Sequence, residues 1–353
     1  MKSDQEAAAG THMASSRSAS AGPRAVAADP PGQRQGTGSV TGSTRPPGNH
    51  RRLWRHRLRR DRALLLMTVP GLLLLILFQY LPLLGNVIAF QDYVPFLGFR
   101  NAEFVGLANF RALFADPAFW NAVANTLIIT LLNLLLFFPV PIALALLLDS
   151  LFHERIKKFV QGVMFLPHFI SWVVIVALFT QVLGGAGVIN QFLLRHDMEP
   201  VHIIGNASVF KLLLVAEVIW KDAGWACIIF LAALSAIDSQ LYESSAVDGA
   251  GYWRRMFHIT LPGIRPVIII LILLRLGDAL SIGFEQVLLQ RDSVGPDAAE
   301  VLDTYVYYFG VQGGNWSIAA AAGLFKAVVG LILVLSANKV AHMLGEDGVY
   351  RRP

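Results

Sequence analysis

From residue 63 onward, long apolar runs alternate with short polar segments, and within the runs the apolar positions are contiguous instead of spaced at helix or strand period. About 20 such residues cross the roughly 30 Å of bilayer hydrocarbon. Six runs are that long: about 63–90, 121–149, 159–183, 209–236, 264–289 and 317–344. Pro70, Pro82, Pro139, Pro141 and Pro167 fall inside them. Proline breaks a helix in water, but a membrane bundle tolerates it because neighbouring helices satisfy the freed backbone groups. The pattern predicts an all-α polytopic membrane protein with six transmembrane helices in one domain, residues 63–344, and a tail, 345–353.

The first 50 residues do not share the pattern. Rich in Ala, Ser, Gly, Pro and Arg, with almost no large apolar side chains, they cannot offset their ordering entropy by burial and are expected to be disordered. They are too polar and too long for a secretory signal, and no cleavage pattern precedes the first run. An over-extended or added start is the expected origin, with Met13 an internal start. Composition agrees with the runs: 55% of residues are apolar and 15% charged, against about 45–50% and about 25% for a globular average. Mean hydropathy is +0.54. The one cysteine, Cys227, excludes an intramolecular disulfide or a cysteine-based metal site.

Charge then sets orientation. Residues 51–62 form a basic juxtamembrane segment with arginines at 51, 52, 55, 57, 59, 60 and 62. Arg155, Lys157 and Lys158, then Arg254, Arg255 and Arg265, and finally Lys339, Arg351 and Arg352 lie beside alternate run ends. The opposite loops hold few basic residues but carry Asp92, Asp116, Asp197, Asp297 and Asp303. By the positive-inside rule both termini are cytoplasmic. The net charge of +5 therefore reads as topology signal. Without interleaved aromatic platforms the basic head is not a nucleic-acid site, and no nucleic-acid partner is expected. The expected surroundings are membrane lipid.

Among the cytoplasmic segments, residues 240–262 stand out. On one helix Tyr242, Ala246, Ala250, Trp253 and Phe257 would share a stripe, with Glu243 and Asp248 elsewhere. Small side chains at Ala246, Gly249 and Ala250 admit a partner's backbone, Gly249 and Gly251 permit a chain reversal, and Pro262 is expected to stop the segment before span five. Taken alone, such a segment also suits an interfacial helix among lipid headgroups.

Glu243, Gly249 six residues on, and Ile259-Thr260-Leu261-Pro262 after nine more resemble the cytoplasmic signature of binding-protein-dependent ABC importer permeases, Glu-Ala-Ala, three residues, Gly, nine residues, Ile-x-Leu-Pro. Ser244 and Ser245 depart from the usual alanines but are also small. The resemblance covers roughly 60–350. Pro82-Leu83-Leu84-Gly85, Ala89-Phe90-Gln91-Asp92-Tyr93, Val105-Gly106-Leu107-Ala108-Asn109-Phe110 and Asn125-Thr126-Leu127 look like carbohydrate-uptake permeases. Leu166-Pro167-His168-Phe169-Ile170-Ser171-Trp172 and Asp303-Thr304-Tyr305-Val306-Tyr307 look like the branch for poly- and oligosaccharides.

The resemblance implies a type I ABC importer permease fold in a bacterial inner membrane. It makes Glu243, Ser244, Ser245, Ala246, Asp248, Gly249, Ala250, Ile259, Leu261 and Pro262 the ATPase-coupling residues. It implies as partners a second six-helix permease in a heterodimer, two ATP-binding subunits and an extracytoplasmic sugar-binding protein. The chain has no Gly-x4-Gly-Lys-Ser/Thr phosphate loop. No enzymatic activity and no bound cofactor are expected of it, ATP and Mg being used by the partner ATPases.

Substrate contact should come from polar groups facing the bundle interior, since a charge facing lipid costs at least a few kcal/mol. On one helix Arg275, Asp278 and Glu285 would fall within about 80° of each other. Span four adds Glu217, Trp220, Lys221 and Trp225, and span three Trp172; aromatic faces beside hydrogen-bonding groups suit sugars. Lys326 lies on span six. Structural pairing of Arg275 with Asp278 and of Glu217 with Lys221 is the competing use. Tyr305, Tyr307, Tyr308 and Trp316 are suited to stacking on sugar, although membrane-interface belts are the commoner use. His196 and His202, with Asp197 and Glu199 between them, read as a chance cluster, and neither a metal nor a catalytic site is expected. Asn206-Ala207-Ser208 and Asn315-Trp316-Ser317 match a glycosylation pattern that matters only in a secretory eukaryote. An ion-coupled secondary transporter is the alternative, but no convincing internal repeat is present. A membrane-embedded enzyme lacks clustered catalytic residues.

Overall fold

The computed structural model describes residues 62–343 except Phe152 and Ile282, together with Gly345. The head 1–50, the basic segment up to residue 61 and most of the tail lie outside the described residues. Helices dominate; a two-residue antiparallel pair, β1 (Gln91–Asp92) with β2 (Glu103–Phe104), sets Gln91 opposite Phe104. Among the described residues five helices are long and apolar enough to cross a membrane: Arg62–Phe90, Pro117–Asp149, Trp172–Arg195, Tyr252–Gly277 and Trp316–Met343. The remaining expected run, 209–236, forms the helix Ala207–Ser235.

Local chemistry explains several ends. Asp116 caps the helix α1 (Pro117–Phe137) by accepting from the Ala118 N–H at 2.9 Å, and Pro117 at its start needs no donor there. Phe138 separates α1 from α2 (Pro139–Asp149), where Pro139 and Pro141 remove backbone donors. The expected third span, 159–183, begins late. Its first part is an amphipathic helix, α3 (Glu154–Phe165), which carries Glu154, Arg155, Lys157 and Lys158 and has no buried residue. Pro167 tightens the next turn, Ile170 and Ser171 run extended, and only then does α4 (Trp172–Leu183) start.

The helix α5 (Ala207–Ser235), capped by Asn206, is the hub of the bundle: it packs against α1, α2 and α3. Phe137, Phe138, Leu148, Cys227, Phe230 and Leu234 form one core around it. Close approach to α3 requires a glycine: a Cβ on Gly224 would run into the Met164 carbonyl. A second core, built on Leu113, Phe119, Leu302 and Tyr305, packs on Ala321 and Ala322 of α12 (Trp316–Met343).

Between these lie α6 (Ser239–Val247), the short α7 (Tyr252–Arg255), a π-turn over Met256–Thr260 and α8 (Leu261–Gly277). The last three run on as one helix from Tyr252 to Gly277, so Pro262 does not stop the segment. The wider π-turn just before it accommodates a ring that lacks an N–H. The expected fifth span, 264–289, is cut short instead at Gly277. Asp278 caps it, Gly283 turns with φ 59°, and α9 (Phe284–Val294) begins separately. The short helices α10 (Pro296–Ala299) and α11 (Leu302–Tyr305) lead toward α12.

Candidate functional site: a polar membrane cavity and an exposed helix–turn–helix

A cavity of about 220 Å³ opens between α1, α5 and the end of α8, with Trp172 at its rim. Thr130 and Asn133 face it from α1, Asp222 from α5 and Arg275 from α8, while Asp278 and Ser281 come from the turn that ends α8. That turn is held where it is because the Thr130 hydroxyl donates to the Ala279 carbonyl at 2.5 Å.

Asp222 organises the charge. One carboxylate oxygen lies 2.9 Å from His168 Nδ1 and the other 3.7 Å from an Arg275 guanidinium nitrogen. The guanidinium also sits 4.4 Å above the Phe137 ring. Beside it the Lys221 ammonium donates to the His168 carbonyl at 2.9 Å and to that of Ile170, 5.5 Å from the Trp172 ring centre. Lys221 thus caps the carbonyls that the break before α4 frees. His168 stacks on Trp225 at 4.7 Å, and Trp225 lines a neighbouring cavity of about 250 Å³ together with Arg275 and Asp278. Asn133 Oδ1 is buried with no partner. Fixed aromatic faces, a guanidinium and carboxylates can bind a hydroxyl-rich solute.

Of the expected path residues, Trp172, Arg275 and Asp278 meet in the first cavity and Trp225 in its neighbour. The others do not join them. Because α8 ends at Gly277, Arg275, Asp278 and Glu285 form no helical stripe, and Glu285 is exposed on α9. Trp220 packs edge-on against Phe179. Glu217 is fully buried elsewhere, where its Oε2 accepts from Gln286 at 2.6 Å and Gln290 at 2.9 Å. Neither competing pair forms: Lys221 is taken by carbonyls, and Arg275 reaches Asp222. Lys326 on α12 pairs with Asp303. The sequence did not single out Asp222, His168 or Asn133 as path residues: Asp222 and His168 pair across elements 54 residues apart, and the Asn133 side-chain oxygen has no partner.

The coupling candidates form a helix–turn–helix instead of one stripe. Asp238 caps α6 through the Gln240 N–H, and Ser244 and Ser245 fold their hydroxyls back onto the Leu241 and Tyr242 carbonyls. At its end the Ala250 N–H reaches the Ser245 carbonyl at 2.9 Å and the Gly249 N–H that of Ala246 at 3.1 Å, with Gly249 at φ 73°. This is a Schellman termination, and its left-handed position is the one that favours glycine. Glu243, Ser244, Ala246, Asp248, Gly249 and Pro262 are exposed; Ser245, Ala250, Ile259 and Leu261 are half-buried. Val247 is 89% and Trp253 67% exposed, so the motif offers bare apolar surface.

A family model described as the inner membrane component of binding-protein-dependent transport systems matches residues 138–342. The chain belongs to that family. It is thus a transport permease component that spans the membrane and works with a binding protein. It is 47% identical over 83% of its length to the polygalacturonan/rhamnogalacturonan transport system permease protein YteP of Bacillus subtilis, covering 92% of that protein. To protein LplB of the same organism it is 43% identical, over 84% of this chain and 94% of LplB. A chain of a bacterial alginate ABC transporter, solved in complex with an alginate pentasaccharide-bound periplasmic protein, superposes with a TM-score of 0.77 at 37% identity. That match covers 84% of this chain and all of the other, in accord with the type I ABC permease fold.

Proposed function

We propose that the chain is the permease subunit of an ATP-driven importer of oligosaccharides or polysaccharide-derived sugars, and that the 220 Å³ cavity ringed by Arg275, Asp222, Asp278 and Trp172 is its sugar path. That cavity is the observation that carries the reading, because it joins aromatic faces to fixed hydrogen-bonding groups inside membrane-crossing helices. The relatives' names, polygalacturonan/rhamnogalacturonan and alginate, support a saccharide cargo.

In this reading the motif from Glu243 to Pro262 docks on a partner ATPase, and the ends near Asp149 and Tyr242 are cytoplasmic. Two ATP-binding subunits supply hydrolysis with their own ATP and Mg, since this chain lacks a phosphate loop. A second six-helix permease completes the pore, and a loaded extracytoplasmic binding protein docks at the opposite end. ATP-driven closure of the ATPases moves α6 and, through it, the membrane helices. Sugar affinity must differ between the two states for the cycle to run in one direction.

Uptake into proteoliposomes containing the full complex tests this. Sugar entry should require ATP and persist when ion gradients are collapsed; entry driven by an ion gradient without ATP would return the chain to the secondary transporters. Gly249→Asp should abolish sugar-stimulated ATP hydrolysis, because it places a charged side chain at the left-handed turn of the docking motif.

A further inference from the structure

At the Pro117 end of the bundle, opposite the Asp149 end, lies a cavity of about 570 Å³, more than twice the size of the one beside Arg275. Its walls are α1's first turns, Arg291 of α9, the α10 turn with Asp297 and Glu300, and Tyr308 and Phe309. From the sequence Tyr305 and Tyr308 suit either sugar stacking or the commoner membrane-interface belt; in the structure Tyr305 is 3% exposed and its hydroxyl donates to Asp116 at 2.7 Å.

The walls are tied in place before any ligand arrives. Arg291 donates through Nε and Nη2 to one Glu300 oxygen at 2.8 and 2.6 Å and lies 4.0 Å over the Tyr308 ring. Asn121 and Asn125 donate to the Asp297 carbonyl at 2.9 and 3.1 Å, and Asn125 also to that of Glu300 at 3.0 Å. Phe309 stacks on Tyr305 at 5.3 Å. Two acceptors are left over. Glu300 Oε1 is buried without a donor, and the exposed Asp297 carboxylate makes no ion pair among the described residues.

A buried acceptor with no donor is rare in native proteins, and Glu300, whose Oε1 is such an acceptor, is one of the residues that line this cavity. Arg291 against Glu300 and Asp297 leaves the lining with one net negative charge, which repels a carboxylate or phosphate and favours hydroxyl donors. The volume falls within the roughly 300–1,000 Å³ of small-molecule sites and far exceeds a single protein side chain. We propose that this cavity is an outer subsite that holds a neutral glycosyl unit of an incoming oligosaccharide before the sugar reaches the Arg275 cavity. The assignment rests on the sugar-permease reading above.

The test uses the full complex with its binding protein and a diazirine-bearing neutral trisaccharide, with a uronate trisaccharide of equal length as comparison. The neutral probe should label peptides spanning residues 291–309 and the uronate should not. Asp297→Asn and Phe309→Ala should each weaken that labelling about five-fold, roughly one lost contact, while leaving basal ATP hydrolysis unchanged. Absence of label in 291–309, or equal labelling by the uronate, overturns the subsite. So does an Asp297→Asn complex that keeps its labelling but loses affinity for the sugar-free binding protein, which would assign the cavity to protein docking. Wild-type complex that takes label nowhere and shows no sugar-stimulated hydrolysis would overturn the sugar reading itself, whereas label confined to the Arg275 cavity overturns the subsite alone.

Discussion

The Tyr242 hydroxyl lies 3.0 Å from the Thr260 hydroxyl and thereby closes an 18-residue excursion of the chain. Tyr242 belongs to α6, and Thr260, only 8% exposed, ends the π-turn that runs straight into the membrane helix α8. The bond crosses the Schellman turn at Gly249, so motion imposed on α6 reaches α8 without relying on the turn alone. Tyr242→Phe removes it and keeps the ring. The loss is about 1 kcal/mol, too small to unfold the chain. In the proposed importer it should lower sugar-stimulated hydrolysis several-fold while basal hydrolysis and expression stay near wild type, and equal stimulation in both proteins would deny the bond any part in coupling.

Gly249 has open space around it: no atom lies within 4 Å of where its Cβ would be. The constraint is backbone alone, φ 73°. Gly249→Ala should therefore destabilise α6 by about 1–2 kcal/mol, and Gly249→Asn by less, because Asn tolerates the left-handed region. Amide exchange over residues 241–250 in detergent reads the difference, and the order Gly, Asn, Ala in protection is the expected result.

Gly224 presents the opposite case, ordinary dihedrals with no room. A methyl group there meets the backbone of Met164 and Phe165, which no rotamer change relieves. Gly224→Ala should cost at least about 1–3 kcal/mol, the range for overpacked cores. It should separate α3 from α5 and disturb the His168–Trp225 stack. Thermal unfolding in detergent together with Trp225 fluorescence checks both effects, and an unshifted midpoint would mean that the two helices part at no cost.

These residues mark what a sequence can and cannot disclose. Six apolar runs are legible because lipid imposes a length on any helix that crosses it, and the glycine of the Schellman turn is legible because few other residues take its conformation. The helix ends were less so. Pro167 hides a switch to extended chain at Ile170–Ser171, and Gly277 ends a helix that hydropathy would carry to residue 289. Partnership was least legible of all. Glu217 and Lys221 stand one turn apart, yet Glu217 turns to Gln286 and Gln290, 69 and 73 residues away, while Lys221 turns to carbonyls 51 and 53 residues back. Spacing along one helix bears no trace of such contacts.

Tyr305 gives the pH prediction. Burial, then the hydrogen bond and charge of Asp116 and the charge of Glu300, hold its hydroxyl well above the ordinary tyrosine value of 10.0. Its folded pKa is raised, so its contribution to stability is fully present below pH 10 and is lost as pH rises from there toward the folded value, because the unfolded chain ionises first. Wild type should be more stable than Tyr305→Phe at pH 8, where the hydroxyl donates to Asp116, and that advantage should shrink as pH rises beyond 10. Unfolding midpoints of the two proteins, measured in detergent from pH 8 to pH 11, provide the check. A gap that stayed constant across the series would mean that the hydroxyl titrates alike in folded and unfolded chains, and that the Asp116 contact does not hold its proton.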